Sequence, residues 1–394
     1  MTFKKKTLSS LVLLFASACL SAEPSSVAEY QTAVEGPQHP DRNGLDALTI
    51  EQLMQRLHVP GVAVAVIKDF QIHWSKAYGI ADVETGVAVD GNTLFQAASI
   101  SKPISAMAMV KFAGDGKFPL DDDINSILRS WRLPESPLTK ERRVTARMLA
   151  SHSAGLGDGF GFPGYNPGAP LPTVIQIING QSPSNVGPVL MARPPLQAMH
   201  YSGGGFTILQ LALTDAVGRP FPEILRDTVL GPIGMTNSVF EQPLSPARDR
   251  NAARGHDDEG KSMGAKWHVY PEYAAAGLWT TPVDLARFVI EVQKSVHGQS
   301  NRVLSRTATQ EMLNPVGVGD FAVGLSMEKR GQGWYFKHSG GNWGFICFMI
   351  GHKLNGYGLA VMTNSFNGQP LINEIQQRVE RAYGWDSLDK PVWR

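Results

Sequence analysis

The stretch Leu94-Phe95-Gln96-Ala97-Ala98-Ser99-Ile100-Ser101-Lys102-Pro103 places a serine three residues before a lysine, at the start of a predicted helix. Helix positions three apart share a face, so the amine of Lys102 can reach the hydroxyl of Ser99. Pro103 is tolerated only in or near the first helical turn, where backbone N–H groups lack partners. The predicted helix, residues 100–112, therefore begins near Ser99. Because a partly desolvated lysine can act as a base, the pattern predicts that Ser99 is an activated nucleophile.

A second S-x-x-K pattern occurs at Ser326 and Lys329. It lies in residues 321–329, where apolar and polar residues alternate as they do in a β-strand. Side chains three apart on a strand point to opposite faces, so this serine and lysine cannot act together. We therefore expect the copy at Ser99 to carry the chemistry.

Two other motif matches lack the context that their chemistry needs. Residues 255–262 satisfy the phosphate-loop pattern G-x-x-x-x-G-K-S, and residues 260–264 satisfy the nucleophile-elbow pattern G-x-S-x-G. Both motifs work only between a strand and a helix, and the flanking sequence predicts neither. Three consecutive acidic residues inside the first match would also repel phosphate. We expect a polar surface loop.

The N-terminus has the features of a secretory signal peptide. Three lysines at positions 4–6 precede an apolar run over residues 8–20, which is too short for a permanent membrane span. Cleavage after Ala22 would leave residues 23–394 as an exported protein, periplasmic or secreted. Cleavage before Cys19 is the alternative, and it would leave this cysteine at the new terminus, as in a membrane-anchored bacterial lipoprotein.

Composition reduces the range of possible functions further. The chain has 36 lysines and arginines against 35 aspartates and glutamates, so no basic field for nucleic acid is present. Cys347 would be the only cysteine after cleavage at Ala22, which excludes an internal disulfide and predicts a small core residue. No H-E-x-x-H pair and no Cys/His cluster occurs, so the sequence predicts no metal site.

The chain alternates between strand-rich ends and a helical middle. Strands are predicted over residues 61–67, 71–78, 321–329, 333–338, 345–352 and 358–363, and helices over residues 45–57, 144–150, 206–217, 222–229 and 371–383. We expect one large unit over residues 23–394. Its α/β lobe would comprise about 45–118 and 290–390, and a helical lobe, about 119–289, would be inserted between them.

Two later stretches carry groups that could serve Ser99. Residues 199–205, Met-His-Tyr-Ser-Gly-Gly-Gly, place Tyr201 beside three glycines just ahead of the predicted helix 206–217, and such a run usually marks a close approach. Residues 334–342, Trp-Tyr-Phe-Lys-His-Ser-Gly-Gly-Asn, predict a strand that ends in a polar turn. Main-chain N–H groups in such a turn can form an oxyanion hole. A core-edge tyrosine and an ordinary hairpin turn are the alternative interpretations.

The order and spacing of these stretches resemble those of the serine β-lactamase and penicillin-binding protein superfamily. An S-x-x-K is followed by a Tyr-Ser about 100 residues later and by a His-Ser-Gly about 137 residues further on. Residues 149–156 resemble the L-L-x-H-T-S-G-L turn of the family, and residues 275–285 resemble its A-G-G-L-x-S-T-x-x-D-L segment. The class C β-lactamases, the family VIII carboxylesterases and the D-aminopeptidase-like hydrolases are most similar, over residues 45–385.

The resemblance implies a two-lobed α/β (α+β) fold, with an antiparallel sheet flanked by helices, an inserted, mainly helical lobe and a site in the cleft. Ser99 would be the nucleophile and Lys102 its proton partner. Tyr201 would share the general-base role and return a proton to the leaving group. The backbone N–H groups of Ser99 and Gly341 would form the oxyanion hole. The reaction would be acyl transfer through a covalent acyl-enzyme, without a cofactor.

Four further positions would contact the substrate: Gly203, His338, Ser339 and Gly340. Two of them depart from the class C pattern. Gly203 occupies the place of the Asn in Tyr-x-Asn, which removes an amide from the acyl side. His338 replaces the lysine of Lys-Thr-Gly, and a histidine with the usual pKa of about 6.5 is mostly neutral at pH 7. Both changes disfavour substrates that bear a carboxylate.

We therefore expect an exported serine hydrolase, esterase or D-aminopeptidase-like, whose partner is a small-molecule ester, amide or peptide-like substrate. A true β-lactamase or DD-peptidase is the alternative. A non-catalytic penicillin-recognising or sensor domain is the alternative of another class, although such a domain tends to lose the catalytic residues that this chain keeps. The loop at residues 155–172 is expected to wall the acyl pocket with Phe160, Phe162 and Tyr165.

Overall fold

The computed structural model describes residues 26–41, 44–159 and 161–385. The predicted signal segment, Cys19 and Phe160 lie outside these residues. Within them, none of the helices has the length and apolar character needed to cross a membrane. The free thiol of Cys347 is buried, as expected for a core residue.

Nine strands and fourteen α-helices are present in the described part of the chain. The strands are β1 (Gly61–Lys68), β2 (Gln71–Asp82), β3 (Val87–Ala88), β4 (Phe95–Gln96), β5 (Trp279–Thr280), β6 (Ser326–Arg330), β7 (Gly333–Asn342), β8 (Phe345–His352) and β9 (Gly358–Thr363). The helices are α1 (Val27–Glu35), α2 (Ile50–Arg56), α3 (Ser101–Gly114), α4 (Ile124–Ile127), α5 (Ala146–Ala150), α6 (Val174–Asn179), α7 (Gly203–Val217), α8 (Phe221–Leu225), α9 (Gly231–Ile233), α10 (Pro246–Asp249), α11 (Tyr273–Ala276), α12 (Pro282–Val296), α13 (Arg306–Met312) and α14 (Gly368–Ala382).

Strands from both ends of the chain form one seven-stranded sheet in the order β3-β2-β1-β9-β8-β7-β6. All neighbours in it are antiparallel, and β1 joins the two halves by pairing with β9 from Val62↔Thr363 to Ile67↔Gly358. Helices cover both faces. The expected architecture, an antiparallel sheet flanked by helices with a helical segment inserted between its strands, is confirmed.

Strand β1 lies inside the sheet, and both of its faces are buried. Its Val62, Val64 and Val66 lie in a cluster with the apolar side of α14, which has its buried residues at helical spacing. Its alternate residues Ala63 and Ala65 lie in a second cluster on the opposite face, and α12 packs there. An apolar run with no polar alternation is typical of a strand that is covered on both sides.

Helix α3 lies inside the molecule, not on its surface. Every residue from Ser101 to Val110 is buried, so this part of the helix has no exposed face. It packs against α11, α13 and α7. This burial fixes the direction of the side chains in its first turn, which is where the S-x-x-K pattern lies.

Several predicted boundaries were wrong. Helix α2 begins at Ile50 instead of residue 45 because Thr49 and Gln52 form a capping box. Strand β6 begins at Ser326, and residues 321–325 are not part of it. The expected lobe boundary at 289/290 falls inside α12, which packs on β1, β8 and β9 and therefore belongs with the sheet.

Arg378 of α14 fastens the N-terminal segment to the sheet lobe. Its guanidinium is almost completely buried and donates to five backbone carbonyls, those of Val34, Gly36, Leu45, Asp46 and Leu48. Buried acceptors that lose their donor carry a desolvation penalty.

Replacement of this guanidinium should destabilise the protein. We expect Arg378→Leu to lower the free energy of unfolding by about 3 kcal/mol, since each stranded acceptor costs roughly 1–3 kcal/mol and some will recruit water. Arg381→Leu, the same change one turn later at a less buried position, is the matched control and should cost under about 1 kcal/mol. Urea unfolding measures both, and equal losses would contradict the fastening role.

Candidate active site

Ser99 and Lys102 meet at the start of α3, as the pattern predicts. A 3₁₀ turn, Ala98–Ile100, leads directly into the helix. The Nζ atom of Lys102 lies 2.9 Å from the Oγ atom of Ser99 and donates to the carbonyl of Ala275 at 2.8 Å. The first hydrogen bond of the turn is donated by the backbone of Ile100 to Ala97. The N–H of Ser99 comes before this bond, so, like other N–H groups at a helix start, it has no acceptor within the turn and can bind another group.

The amine of Lys102 is held in an environment that disfavours its charge. The side chain is 1% exposed, and burial lowers the pKa of Lys102 to about 7, although the carboxylate of Asp158 opposes the shift. At pH 7 a large fraction of the amine is therefore neutral and has a free lone pair. A neutral amine within hydrogen-bond distance of a serine hydroxyl can take its proton.

The backbone before Ser99 is strained and firmly held. Ala98 has φ = 48°, in the left-handed region that residues with a Cβ rarely adopt. Its carbonyl accepts from the hydroxyl of Ser101 at 2.6 Å. The N–H of Ala97 donates to Leu278 at 2.9 Å, and its carbonyl accepts from the thiol of Cys347 at 2.9 Å. These bonds hold Ser99 in one position relative to the sheet.

Tyr201 approaches Ser99 from the N-terminus of α7. Its pKa is raised because the phenol is buried, and a side-chain hydrogen bond to Ser99 partly offsets this rise. The Nζ atom of Lys102 lies 5.0 Å from the centre of its ring. The phenol is therefore protonated near neutral pH and lies in contact with the other two predicted catalytic side chains.

The three glycines after Tyr201 lie inside a helix, not ahead of it as predicted. They form the first turn of α7 (Gly203–Val217), and Ser202 caps the helix by accepting from the N–H of Gly205 at 2.9 Å. The carboxylate of Asp158 accepts from the hydroxyl of Ser202 at 2.6 Å and from the N–H of Gly204 at 2.7 Å. A Cβ on Gly204 would lie 2.4 Å from Val189, so the glycine permits a close approach.

The His-Ser-Gly segment is part of β7 and not a turn, which corrects the prediction. Strand β6 begins only at Ser326, opposite Lys337, so residues 338–342 of β7 pair on one side only, with β8. Antiparallel strands direct successive residues to alternate sides. The carbonyl of Trp334 accepts from the N–H of Lys353, just after β8, so the even-numbered residues of β7 direct their backbone groups toward β8. The odd-numbered residues, Gly341 among them, therefore direct their N–H groups to the other side, which is the open edge.

Gly340 allows this edge to touch the nucleophile. A Cβ at this position would lie 2.3 Å from the carbonyl oxygen of Ala97 and 3.0 Å from the backbone nitrogen of Ser99. Only a residue without a side chain permits this spacing. The strand that bears the N–H of Gly341 therefore lies beside the backbone N–H of Ser99, and both glycine and serine line the cleft, as the predicted oxyanion hole would need.

His338 is neutral in this environment. It is 5% exposed, and burial, reinforced by the nearby Lys102, lowers the pKa of His338 to about 3. Its Nδ1 atom lies 2.6 Å from the carbonyl of Ser339, which fixes a proton on that nitrogen. The site consequently lacks the cation that a lysine would supply at this position.

A cleft of about 1020 Å³ opens beside Ser99. Predicted site residues that line it are Ser99, Tyr201, His338, Ser339, Gly340 and Gly341. Lys102 lies behind Ser99, and Gly203 is buried in α7. Of the loop expected to wall the pocket, Gly161 lines the cleft, whereas Tyr165 is buried and its hydroxyl accepts from Asn185 at 3.1 Å.

Of the excluded motifs, the second S-x-x-K pattern reaches the cleft through Ser326, whereas the glycine motifs at residues 255–264 do not line it. Ser326 lies on a strand and its hydroxyl donates to Asp320 at 2.5 Å. The glycine motifs at 255–264 form turns with no helix after them, although Gly255 and His256 are buried rather than exposed. Within residues 26–41, 44–159 and 161–385, no group of His, Cys, Asp and Glu side chains could hold a metal ion.

Three residues near Ser99 were not predicted as functional. Ala275 supplies the carbonyl that binds Lys102, His152 stacks on Tyr201, and Asp158 influences the charge of Lys102. The first two lie in segments whose resemblance to the family is visible in the sequence. Asp158 has no such signal, because only the fold brings it to the N-terminus of α7.

The family model for beta-lactamases matches residues 47–382, which is most of the chain. The chain belongs to the beta-lactamase family. It accordingly lies in the superfamily that also contains the penicillin-binding proteins.

Individual relatives of this beta-lactamase family member are distant. Protein flp of Staphylococcus aureus strain N315 is 22% identical over 331 residues, which are 80% of this chain and 61% of the relative. The chain thus spans about three-fifths of the length of that relative. Penicillin-binding protein 4 of Amycolatopsis lactamdurans is 26% identical over 279 residues, 69% of this chain and 68% of the relative. D-amino acid amidase from Ochrobactrum anthropi SV3, solved with L-phenylalanine amide, superposes with a TM-score of 0.68 at 20% identity, over 90% of this chain and 99% of that one.

The contact between Gly340 and Ser99 can be tested by adding one methyl group. Gly340→Ala should lower kcat/KM by about 10²-fold or more, since displacement of the strand moves an oxyanion donor. Gly358→Ala is the matched control, because its Cβ would also meet a strand carbonyl, that of Ile350 at 2.7 Å, in the body of the sheet. The control should lose stability while its folded fraction keeps the wild-type kcat/KM. Equal kinetic losses in both variants would contradict the assignment.

Proposed function

We propose that this protein hydrolyses ester or small amide substrates by acyl transfer through an acyl-enzyme on Ser99. The contact that carries the proposal is the 2.9 Å distance between Ser99 Oγ and the amine of Lys102, whose pKa burial lowers to about 7. A serine becomes nucleophilic when a neighbouring group can accept its proton. Here the acceptor is already in place.

Acylation would combine one nucleophilic attack with proton transfers that begin at Ser99 and end at the leaving group. The oxygen of Ser99 attacks the substrate carbonyl carbon while its proton passes to Nζ of Lys102. The negative charge that develops on the carbonyl oxygen is stabilised by the N–H groups of Ser99 and Gly341. The C–O or C–N bond to the leaving group then breaks, and the leaving group receives a proton. In the second half a water molecule attacks the acyl carbon and gives a proton to Lys102, the bond between this carbon and the Ser99 oxygen breaks, and Ser99 takes the proton back as the acid product leaves.

Tyr201 is better suited to donate a proton to the leaving group than to accept the proton of Ser99. Its buried phenol has a raised pKa, whereas the pKa of Lys102 is lowered to about 7. The amine of Lys102 lies over the ring of Tyr201, 5.0 Å from its centre, and in this scheme the proton that it accepted returns to the phenol after the phenol has donated to the leaving group. The base role that the resemblance assigned jointly to both residues is thus divided, with Lys102 accepting and Tyr201 delivering the proton.

The charges along the cleft favour substrates without a carboxylate. His338 is neutral, and the cations that line the cleft are engaged, Lys337 with Glu328 at 2.6 Å and Arg330 with Glu380 at 2.6 Å. A β-lactam or a D-Ala terminus would find no uncommitted cation among these lining residues. The D-amino acid amidase, a relative in fold, is named for an amide substrate, which is consistent with the proposal.

A comparison of two chromogenic substrates tests the proposed class. We expect p-nitrophenyl butyrate to be hydrolysed with a kcat/KM at least about tenfold above that for nitrocefin, since an uncompensated carboxylate costs of the order of 1 kcal/mol or more. Ser99→Ala is the control and should abolish both activities. Efficient nitrocefin turnover without ester cleavage would instead support the β-lactamase or DD-peptidase alternative.

The pH dependence follows from the lowered pKa of Lys102. The amine must be neutral to accept the proton, so kcat/KM for the ester should rise with pH through about 7 and then level off. His338 should add no limb near neutral pH, because its pKa is held at about 3. The measurement is kcat/KM from about pH 5 to about pH 9, with the Ser99→Ala rate subtracted to remove alkaline hydrolysis. A flat or falling profile would show that Lys102 is not the base.

A further inference from the structure

His152 encloses the peptide segment that carries Tyr201. Its backbone carbonyl accepts from the N–H of His200 at 2.8 Å, and its ring Nδ1 accepts from the N–H of Ser202 at 3.1 Å. The residues before and after Tyr201 are thus both bonded to one histidine. Neither bond could form without the fold, because His152 and Ser202 are 50 positions apart.

The ring of His152 also packs flat on the phenol ring of Tyr201. The two ring centres are 4.1 Å apart and the planes meet at 27°, which is a stacked arrangement. Phe321 contacts the histidine edge-on at 4.8 Å, and Phe206 lies at 5.5 Å. Tyr201 therefore has one face in contact with an immobile ring, which leaves its hydroxyl directed at Ser99.

The backbone of His152 has a conformation that is unusual for a residue with a side chain. Its φ is 58°, in the left-handed region, and the residue is 2% exposed. A buried residue that keeps such a conformation without being glycine indicates that its surroundings impose it, and such positions cluster at functional sites. The left-handed turn is what allows the carbonyl and the ring to reach the two sides of Tyr201.

The charge state of the ring agrees with this geometry. An Nδ1 atom that accepts from a backbone N–H must carry a lone pair, so the neutral ring has its proton on Nε2. The titratable groups around it are Lys102 of α3, His338 of β7 and His200 and Tyr201 of the segment before α7. Burial and the three basic neighbours all hold the pKa of His152 well below its usual range.

We propose that His152 is a positioning residue that holds the phenol of Tyr201 in line with Ser99 and Lys102 by bonding to both neighbouring peptides and by stacking on the ring. The proposal rests on the function proposed for Ser99. His152 is not a catalytic residue, because it bonds to none of the reacting atoms. Its effect on the rate passes through Tyr201.

A double-mutant cycle separates this role from a purely structural one. The variants are His152→Asn, Tyr201→Phe and the combination of both. Asparagine tolerates the left-handed conformation and so removes the ring with little backbone strain. Phenylalanine at position 201 keeps the stacked ring and removes the hydroxyl. The readouts are kcat and KM for p-nitrophenyl butyrate, per folded protein as measured by near-UV circular dichroism.

We expect His152→Asn to lower kcat by about 10- to 100-fold and to change KM by less than about threefold, because misplacement affects proton transfer and not substrate binding. In the Tyr201→Phe background the same change should lower kcat no further, because the group that His152 positions is already absent. If His152→Asn does not fold, His152→Phe, which keeps a ring but loses the Ser202 bond, carries the same cycle.

The control variant is His256→Asn, another buried histidine, whose ring bonds to the carbonyl of Asn364. It should lower the melting temperature without lowering kcat. The proposal is overturned if His152→Asn behaves like this control, or if the two changes at His152 and Tyr201 lower kcat independently. A wild-type rate no greater than that of Ser99→Ala would contradict the proposed function itself, and the two failures are therefore distinguishable.

Discussion

The amine of Lys102 is buried and contacts the hydroxyl of Ser99 and the carbonyl of Ala275, and the chemistry of the site depends on this burial. The fall in its pKa to about 7 corresponds to a penalty on the charged form of the order of 5 kcal/mol. An exposed lysine would remain protonated and could not accept a proton from serine. Asp158 limits the fall, so the amine titrates near neutral pH instead of losing its basicity. A base with a pKa close to the working pH combines availability with proton affinity.

The rest of the fold keeps this amine dry and brings its partners to it. Helix α3 is surrounded by other elements, so Lys102 is only 1% exposed although Ser99 beside it lines the cleft. The sheet supplies the edge of β7, and the missing side chain at Gly340 lets that edge lie against the backbone of Ser99. Helix α7 supplies Tyr201, and α11 supplies the carbonyl of Ala275. Elements distant in sequence thus converge on one helical turn.

Local patterns in the sequence predicted the helices and strands better than they predicted the contacts between them. Strands β8 and β9 have the predicted bounds because each is a continuous apolar run with short turns on either side, and S-x-x-K with Pro103 located the helix start. The glycines misled the prediction twice. The run after Tyr201 was expected ahead of a helix and those after Ser339 in a turn, whereas the first opens α7 and the second lies in an edge strand. Glycine signals a close approach, but the sequence does not say to what. The contacts of Lys102 with Ala275 and of His152 with Ser202 span 173 and 50 positions, so no local pattern encodes them.

The central claim is that Ser99 is the residue acylated during turnover. Treatment with a fluorophosphonate followed by peptide mass mapping locates the reactive hydroxyl without reference to any substrate. We predict one adduct, on the peptide that contains Ser99, and slower labelling below pH 7 as Lys102 becomes protonated. An adduct on Ser202 or Ser326, or labelling that persists in Ser99→Ala, would contradict the account.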